Sequence, residues 1–328
     1  MNQAPWWLPS GHLQTIWASK VADTGLATPA RWQRQRLTTP DGDFIDIDHQ
    51  RAADPGAPLL VMFHGLEGSS QSHYSCAMAT WAAQRGWHLA IAHFRGCSGE
   101  LNRAPRAYHS GDHAEIDHIL RSLTRDHREQ GGQTAHAVGI SLGGNALMLW
   151  AAVQGEQAEQ VVQSVTSICS PLDLTASGHA IGRGLNRLIY TPYFLRTMLP
   201  KAMAKLRQHP GLFDAEAMRQ VRDLYQFDNI FTAPLHGFVD TEDYWRRASA
   251  KPRLRDIRIA AYVVNALNDP FIPADSLPQP AQVSASCRLI YTTRGGHVGF
   301  VSGAWPPGRV SISDQIPPLN EWGSNPND

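Results

Sequence analysis

Ser141 stands at the centre of Gly139-Ile-Ser-Leu-Gly143, the one G-x-S-x-G in this 328-residue chain. A β-type run, Ala135 to Ile140, precedes it and a helix-type run, Asn145 to Val153, follows. A serine on a tight strand-to-helix turn is held with its Oγ above the sheet, and the flanking glycines keep side chains out of the crowded turn. A serine hydroxyl attacks poorly at neutral pH unless an imidazole takes its proton, and the imidazole needs a carboxylate to orient it. Asp269 follows the strand-like run Ile259 to Asn265, in the loop Ala266 to Pro273. His297 follows the run Cys287 to Thr293, in Arg294-Gly-Gly-His-Val-Gly-Phe300. His297 by itself would be one loop histidine among fifteen, and Asp269 by itself a turn residue before Pro270. Together with Ser141 they form a set. Asp275, further along the same loop, is the fallback acid.

The chain order Ser, Asp, His is that of the α/β-hydrolase triad, not of the chymotrypsin or subtilisin arrangements. Each acid or base lies just past a strand's C-terminal end, the edge where ligands bind in open α/β sheets. A fourth element completes the machinery. Leu59-Leu-Val-Met-Phe63 reads as a buried parallel strand and ends in His64-Gly-Leu-Glu-Gly68. The turn after this strand supplies one oxyanion donor and the residue after the nucleophile the other, here the backbone amides of Leu66 and Leu142. Each such donor is worth about 3 kcal/mol to a developing oxyanion.

The elements around these residues alternate as a mostly parallel sheet flanked by helices requires. Residues 33–37 and 44–48 read as strands joined by the turn Thr39-Pro-Asp-Gly42. Strand 58–63, helix 74–85, strand 88–94 and helix 114–127 lead to the serine turn, and strand 164–169 follows. Residues 175–256 then interrupt the alternation and are expected to form a helical cap over the strand ends. Leu188 to Leu199, rich in large apolar side chains with Lys201, Lys205 and Arg207 behind, would line an acyl pocket or pack on the sheet domain. Residues 1–30 are expected to be an irregular, Trp-rich arm on a single 1–328 domain.

Composition fits this class. Acidic and basic residues balance at 29 each, so no basic patch favours nucleic acid. No apolar run of about 18 residues offers a membrane span. The start, Met-Asn-Gln-Ala-Pro-Trp-Trp, has neither the basic nor the apolar region of a signal peptide. Cys76, Cys97, Cys169 and Cys287 lack metal-ligand spacing, which suits reduced thiols and a cytoplasmic location. His109 and His113 are four apart, but Gly111 argues against one helix presenting both, so a loop entering a helix near Asp112 is expected instead of a metal site. Arg95 and Cys97 read as a structural turn, while Glu67 and His73 lie near the oxyanion turn with no assigned role.

Pro5 to Ile16, Gly65 to Tyr74, Phe94-Arg-Gly-Cys-Ser-Gly-Glu-Leu-Asn-Arg103, Tyr108 to Asp112, Asp214 to Tyr244 and Gly295 to Phe300 together resemble the YheT-like α/β-hydrolases. The resemblance runs from residue 5 to about residue 303. It implies carboxylic-ester hydrolysis; plant and animal branches act on lipid esters and yeast members resemble acyltransferases. Its triad falls on Ser141, Asp269 and His297, the same residues as the order argument. One departure follows His297. The family implies a closing amphipathic helix, whereas Pro306, Pro307, Pro317 and Pro318 oppose one here. An irregular tail is expected, leaving sheet surface for a partner.

The sequence therefore reads as a serine carboxylesterase working on small-molecule carboxylic esters, with short- to medium-chain and lipid esters both open, through an acyl-enzyme, with no metal or organic cofactor. The rivals are acyl transfer to an alcohol by the same residues, and a catalytically silent binding fold. Monomer and homodimer are both compatible with it.

Overall fold

The computed structural model describes residues 4–26 and 31–312. In chain order the elements are α1 (Gly11–Lys20), β1 (Gln33–Thr38), β2 (Phe44–Gln50), β3 (Leu59–Phe63), α2 (His73–Arg85), β4 (His88–Ala92), α3 (His113–Glu129), β5 (Ala135–Ile140), α4 (Leu142–Gln154) and β6 (Ser164–Ile168). A wholly helical stretch follows, with α5 (Leu174–Ile181), α6 (Gly184–Gln208), α7 (Ala215–Arg219), α8 (Leu224–Phe227), α9 (Ala233–Leu235) and α10 (Thr241–Ala248). β7 (Ala260–Ala266), β8 (Cys287–Thr292) and the short pair β9 (Val301–Ser302) and β10 (Arg309–Val310) complete the chain.

The sheet has eight strands in the order β1-β2-β4-β3-β5-β6-β7-β8. β1 and β2 are antiparallel, as are β2 and β4, and the remaining pairs are parallel. Every residue of β3, β4, β5 and β6 is buried because helices cover both faces, and β3 is a continuous apolar run. In β3, Leu59, Val61 and Phe63 face one core with Ile116, Leu147 and Trp150 of α3 and α4. Leu60 and Met62 face the other, with Met78 and Trp81 of α2. The alternation follows from the two-residue period of a strand. Register then aligns the strand ends: Phe63 pairs with Gly139, Ile140 with Ile168, and Ala266 with Thr292. The turns leaving β3, β5, β7 and β8 thus emerge along one edge.

Two sequence expectations are corrected. The N-terminal arm is not irregular throughout, because Ser10 caps α1 by accepting the Leu13 N–H. The helix buries Gln14, Thr15 and Ala18, not an apolar stripe, which is why periodicity misses it. Nor does the chain after His297 leave the sheet face open. Val301, Val310 and Ile312 join Leu8 and Ala18 in the core over Leu60, Met62 and Val264. Trp17 donates its indole N–H to Pro307 O at 2.8 Å, and Trp7 donates to Gly303 O at 3.3 Å. The prolines do exclude a helix from 301–312; Pro317 and Pro318 lie outside the described residues.

Candidate active site

Ser141 takes φ 51° and ψ −119°, a backbone conformation that side chains rarely adopt. Its amide donates to Ile168 O at 2.9 Å, pinning the turn to β6. The flanking glycines answer close approaches. A Cβ on Gly139 would sit 2.4 Å from Gly144 Cα, and one on Gly143 would sit 2.6 Å from the carbonyl oxygens of Phe63 and His64.

Asp269 and His297 meet Ser141 in the predicted order. His297 Nδ1 lies 2.8 Å from Asp269 Oδ2, and His297 Nε2 lies 3.0 Å from Ser141 Oγ. With Nδ1–H donating to the carboxylate, Nε2 is left to accept the serine proton. The other Asp269 oxygen accepts the Phe271 amide at 2.8 Å, and the Asp269 side chain is fully buried. The Phe271 ring covers His297 with centroids 4.2 Å apart. Asp275 is exposed, and no hydrogen bond joins it to His297 among the described residues. The arrangement can move one proton from the serine to the imidazole while the buried carboxylate stabilises the resulting cation.

The turn after β3 comes up against Ser141: a Cβ on Gly65 would lie 3.2 Å from Ser141 Cβ. Leu66, Leu142 and Ser141 line the same cavity. Among the described residues, neither the Leu66 nor the Leu142 amide is used in a turn, loop or cap hydrogen bond. Buried His64 holds the turn from below. Its Nε2 accepts the Phe94 amide at 3.1 Å, so its Nδ1–H donates to Gly65 O at 2.7 Å. Burial, aided by neighbouring His93, lowers this imidazole to about 3 and keeps it neutral.

Glu67, the next residue, has φ 56° and receives three supports. Its amide donates to Tyr108 Oη at 3.0 Å, and the Tyr108 hydroxyl donates to Glu67 Oε1 at 2.9 Å. Lys201 of α6 lies 2.8 Å from Oε2. Burial pulls the Lys201 pKa down, but Cys97 and Glu67 more than offset it and the net shift is upward. His73, left without a role by sequence reasoning, donates from Nε2 to Val298 O at 3.0 Å and so ties α2 to the His297 loop.

Sequence reasoning missed a second support of that loop. The His297 amide donates to Thr15 Oγ1 at 2.8 Å, and the Thr15 hydroxyl in turn donates to Gly11 O at 2.8 Å. Gln14 Oε1 accepts the Gly295 amide at 2.9 Å and the Asn268 side-chain amide at 3.0 Å. Asn268 Oδ1 accepts from both Gly295 and Gly296 at 3.0 Å. Gly11 permits the contact, since a Cβ there would fall 1.9 Å from Asn268 O. Ser10 before a glycine was the available local signal for this helix.

The cavity over Ser141 has a volume of about 140 Å³ and is walled mainly by Leu66, Phe194, Met198, Phe227, Phe231 and Phe271. At about 30 Å³ per water it has room for about five waters, or for an apolar chain displacing them. Leu195, Met198 and Ala202 of α6 also form a separate core with Met218, Leu224 and Phe227, so the helical stretch supports itself while lining the cavity. Asp228 lies at the cavity wall, its oxygens accepting Thr232 Oγ1–H at 2.6 Å and Trp245 Nε1–H at 2.9 Å. Arg95 is buried against Asp41, Asp43 and Glu115, a structural junction as the sequence suggested. His109 packs among His236, Phe238 and Tyr244, whereas His113 opens α3.

Residues 58–304 match the family described as alpha/beta hydrolase fold. The chain is 36% identical over 310 residues to YheT of Escherichia coli K12, named as an esterase, with 93% of this chain and 88% of that protein covered. It is 26% identical to the phospholipase ABHD3 of Mus musculus, covering 85% of this chain and 68% of the other. Among solved structures, a bacterial membrane phospholipase A superposes with a TM-score of 0.56 at 14% identity, covering 96% of this chain and 90% of that one. That last likeness is one of fold.

Proposed function

Because the chain belongs to the α/β-hydrolase fold family, and within it to the YheT-like branch, we propose that it is a serine carboxylesterase. The observation that carries the reading is the continuous Ser141–His297–Asp269 hydrogen-bond chain, at 3.0 and 2.8 Å, opening into an apolar cavity. Relatives named esterase and phospholipase support ester hydrolysis as the reaction class.

Ser141 Oγ attacks the ester carbonyl as His297 Nε2 takes its proton. The Leu66 and Leu142 amides hold the oxyanion of the tetrahedral intermediate. Collapse breaks the acyl–oxygen bond, and His297 returns the proton to the departing alcohol, leaving an acyl-serine. Water then attacks the acyl-serine as His297 takes its proton, and collapse of this second tetrahedral intermediate breaks the acyl–Oγ bond, His297 returning the proton to Ser141 Oγ as the acid leaves. The helices between β6 and β7, within residues 175–256, act as a cap whose Phe194, Phe227 and Phe231 hold the acyl chain. No metal or organic cofactor enters these steps.

Hydrolysis of p-nitrophenyl esters from acetate to palmitate, by the wild type and Ser141→Ala, tests the proposal. Turnover peaking at short to medium chains and lost in the variant is expected, with fluorophosphonate labelling of the wild type alone. A protein that neither turns over nor labels would return the fold to the binding role. An added alcohol that diverts product from acid to ester would identify acyl transfer instead.

A further inference from the structure

α6 has two apolar faces. Leu195, Met198 and Ala202 enter the core of the helical stretch. Leu185, Leu188, Ile189 and Tyr193, all in the first half of the helix, recur at i, i+3, i+4 and i+8 and lie in solvent, with Leu188 74% exposed. Packing within the chain accounts for the first face and leaves the second unexplained. α1 also turns apolar side chains outward, exposing Leu13, Ile16 and, one turn on, Lys20 while burying Gln14, Thr15 and Ala18.

The two helices meet. His12 Nδ1 lies 3.1 Å from Tyr190 Oη, and Lys20 Nζ lies 5.2 Å from the centre of the Tyr193 ring. The Arg196 guanidinium stands 5.6 Å from the same ring. Their charge is one-sided. No acidic residue occurs before Asp23 or between Asp173 and Asp214, whereas Lys20, Arg183, Arg187 and Arg196 are all exposed. The face also adjoins the site: Tyr190 packs on Phe271 at 4.5 Å, and Phe271 on His297 at 4.2 Å.

We infer that the α1–α6 face docks on an anionic lipid surface, setting the mouth of the site at the lipid–water boundary. Exposed Leu and Ile side chains enter the acyl boundary, Tyr193 sits at headgroup depth, and the flanking cations meet lipid phosphates. Attachment is peripheral, since no described helix is long and apolar enough to cross a membrane. A second copy of the chain is the poorer occupant, because twofold pairing would bring like cations together without opposing acids. The inference goes beyond the esterase reading and is tested without turnover.

The full chain is floated with vesicles of phosphatidylcholine and phosphatidylglycerol, and with vesicles of phosphatidylcholine alone. Recovery with the anionic vesicles, falling as salt rises, is expected. Leu185→Asp/Leu188→Asp should partition at least tenfold less, and Arg196→Gln several-fold less, while both keep the wild-type circular dichroism and p-nitrophenyl butyrate turnover. Wild type left in solution with both vesicles, or a double variant that floats as well as wild type, would overturn the inference. Equal recovery on neutral vesicles would overturn its charge component. A wild-type dimer that the double variant converts to monomer would make the face a self-interface instead.

Discussion

The Thr15 hydroxyl accepts the backbone N–H of His297 at 2.8 Å across a sequence separation of 282 residues. The histidine's loop needs such support, since Gly296 and Val298 on either side both have positive φ, at 59° and 55°. α1 therefore acts as a buttress for the proposed base, from outside residues 58–304 that match the α/β-hydrolase fold.

Thr15→Val removes the acceptor while keeping the volume, freeing the His297 backbone to shift. We expect kcat to fall about ten- to a hundredfold with KM little changed, because misplacement of a reacting group by about an ångström is worth that much. Thr15→Ser should restore most of it. Steady-state kinetics of the two variants check this, and equal kcat in Thr15→Val and wild type would remove the buttress role.

The positive φ of Ser141 stores backbone strain of about 1–3 kcal/mol. Ser141→Gly should therefore raise unfolding stability by about 1 kcal/mol after the entropy of the unfolded chain is counted, whereas Ser141→Ala should not. Both should lose esterase turnover. Urea denaturation of the pair against wild type makes the comparison.

Lys201 and Glu67 join the helical stretch to the turn after β3 that carries the proposed oxyanion donor. Lys201→Met leaves a buried carboxylate unpaired and should destabilise by about 2 kcal/mol, below the 3–5 typical of wholly buried pairs because Lys201 is 36% exposed. Glu67→Gln/Lys201→Met should recover most of that loss. A double-mutant cycle measures the coupling, and additive effects would show that the pair is not coupled.

Asp228 is raised to about 6 by burial, which its bonds from Thr232 and Trp245 only partly oppose. The unfolded chain releases this proton near pH 4 and the folded protein near pH 6, so ionisation subtracts stability across that window. The loss is on the order of 3 kcal/mol. Asp228→Asn, whose amide can donate to Thr232 and accept from Trp245, should lack it. The stability difference between variant and wild type should therefore grow from pH 4 to pH 6 and then level off, as read by denaturation at each pH.

What the sequence by itself determined was the sheet and the residues proposed to carry the chemistry. The apolar run of β3 must be buried on both faces, and the glycines around Ser141 mark a tight turn, in which the crowding at Gly139 is local whereas that at Gly143 comes from Phe63 and His64. The order Ser141, Asp269, His297 then placed three groups after three strands, and parallel register brings strand ends to one edge. Tertiary structure decided what depends on distant partners. α1 buries Gln14 and Thr15, whose reason for burial is Asn268 and the loop at 295–297, so no local hydrophobic period announces the helix. Glu67 has no role until α6 brings Lys201 to it. The chain after His297 covers the sheet as a short hairpin because Trp7, Trp17 and α1 are already there to receive it. Local rules read residues whose constraints are local; residues constrained by another part of the chain become legible only once folding has brought that part to them.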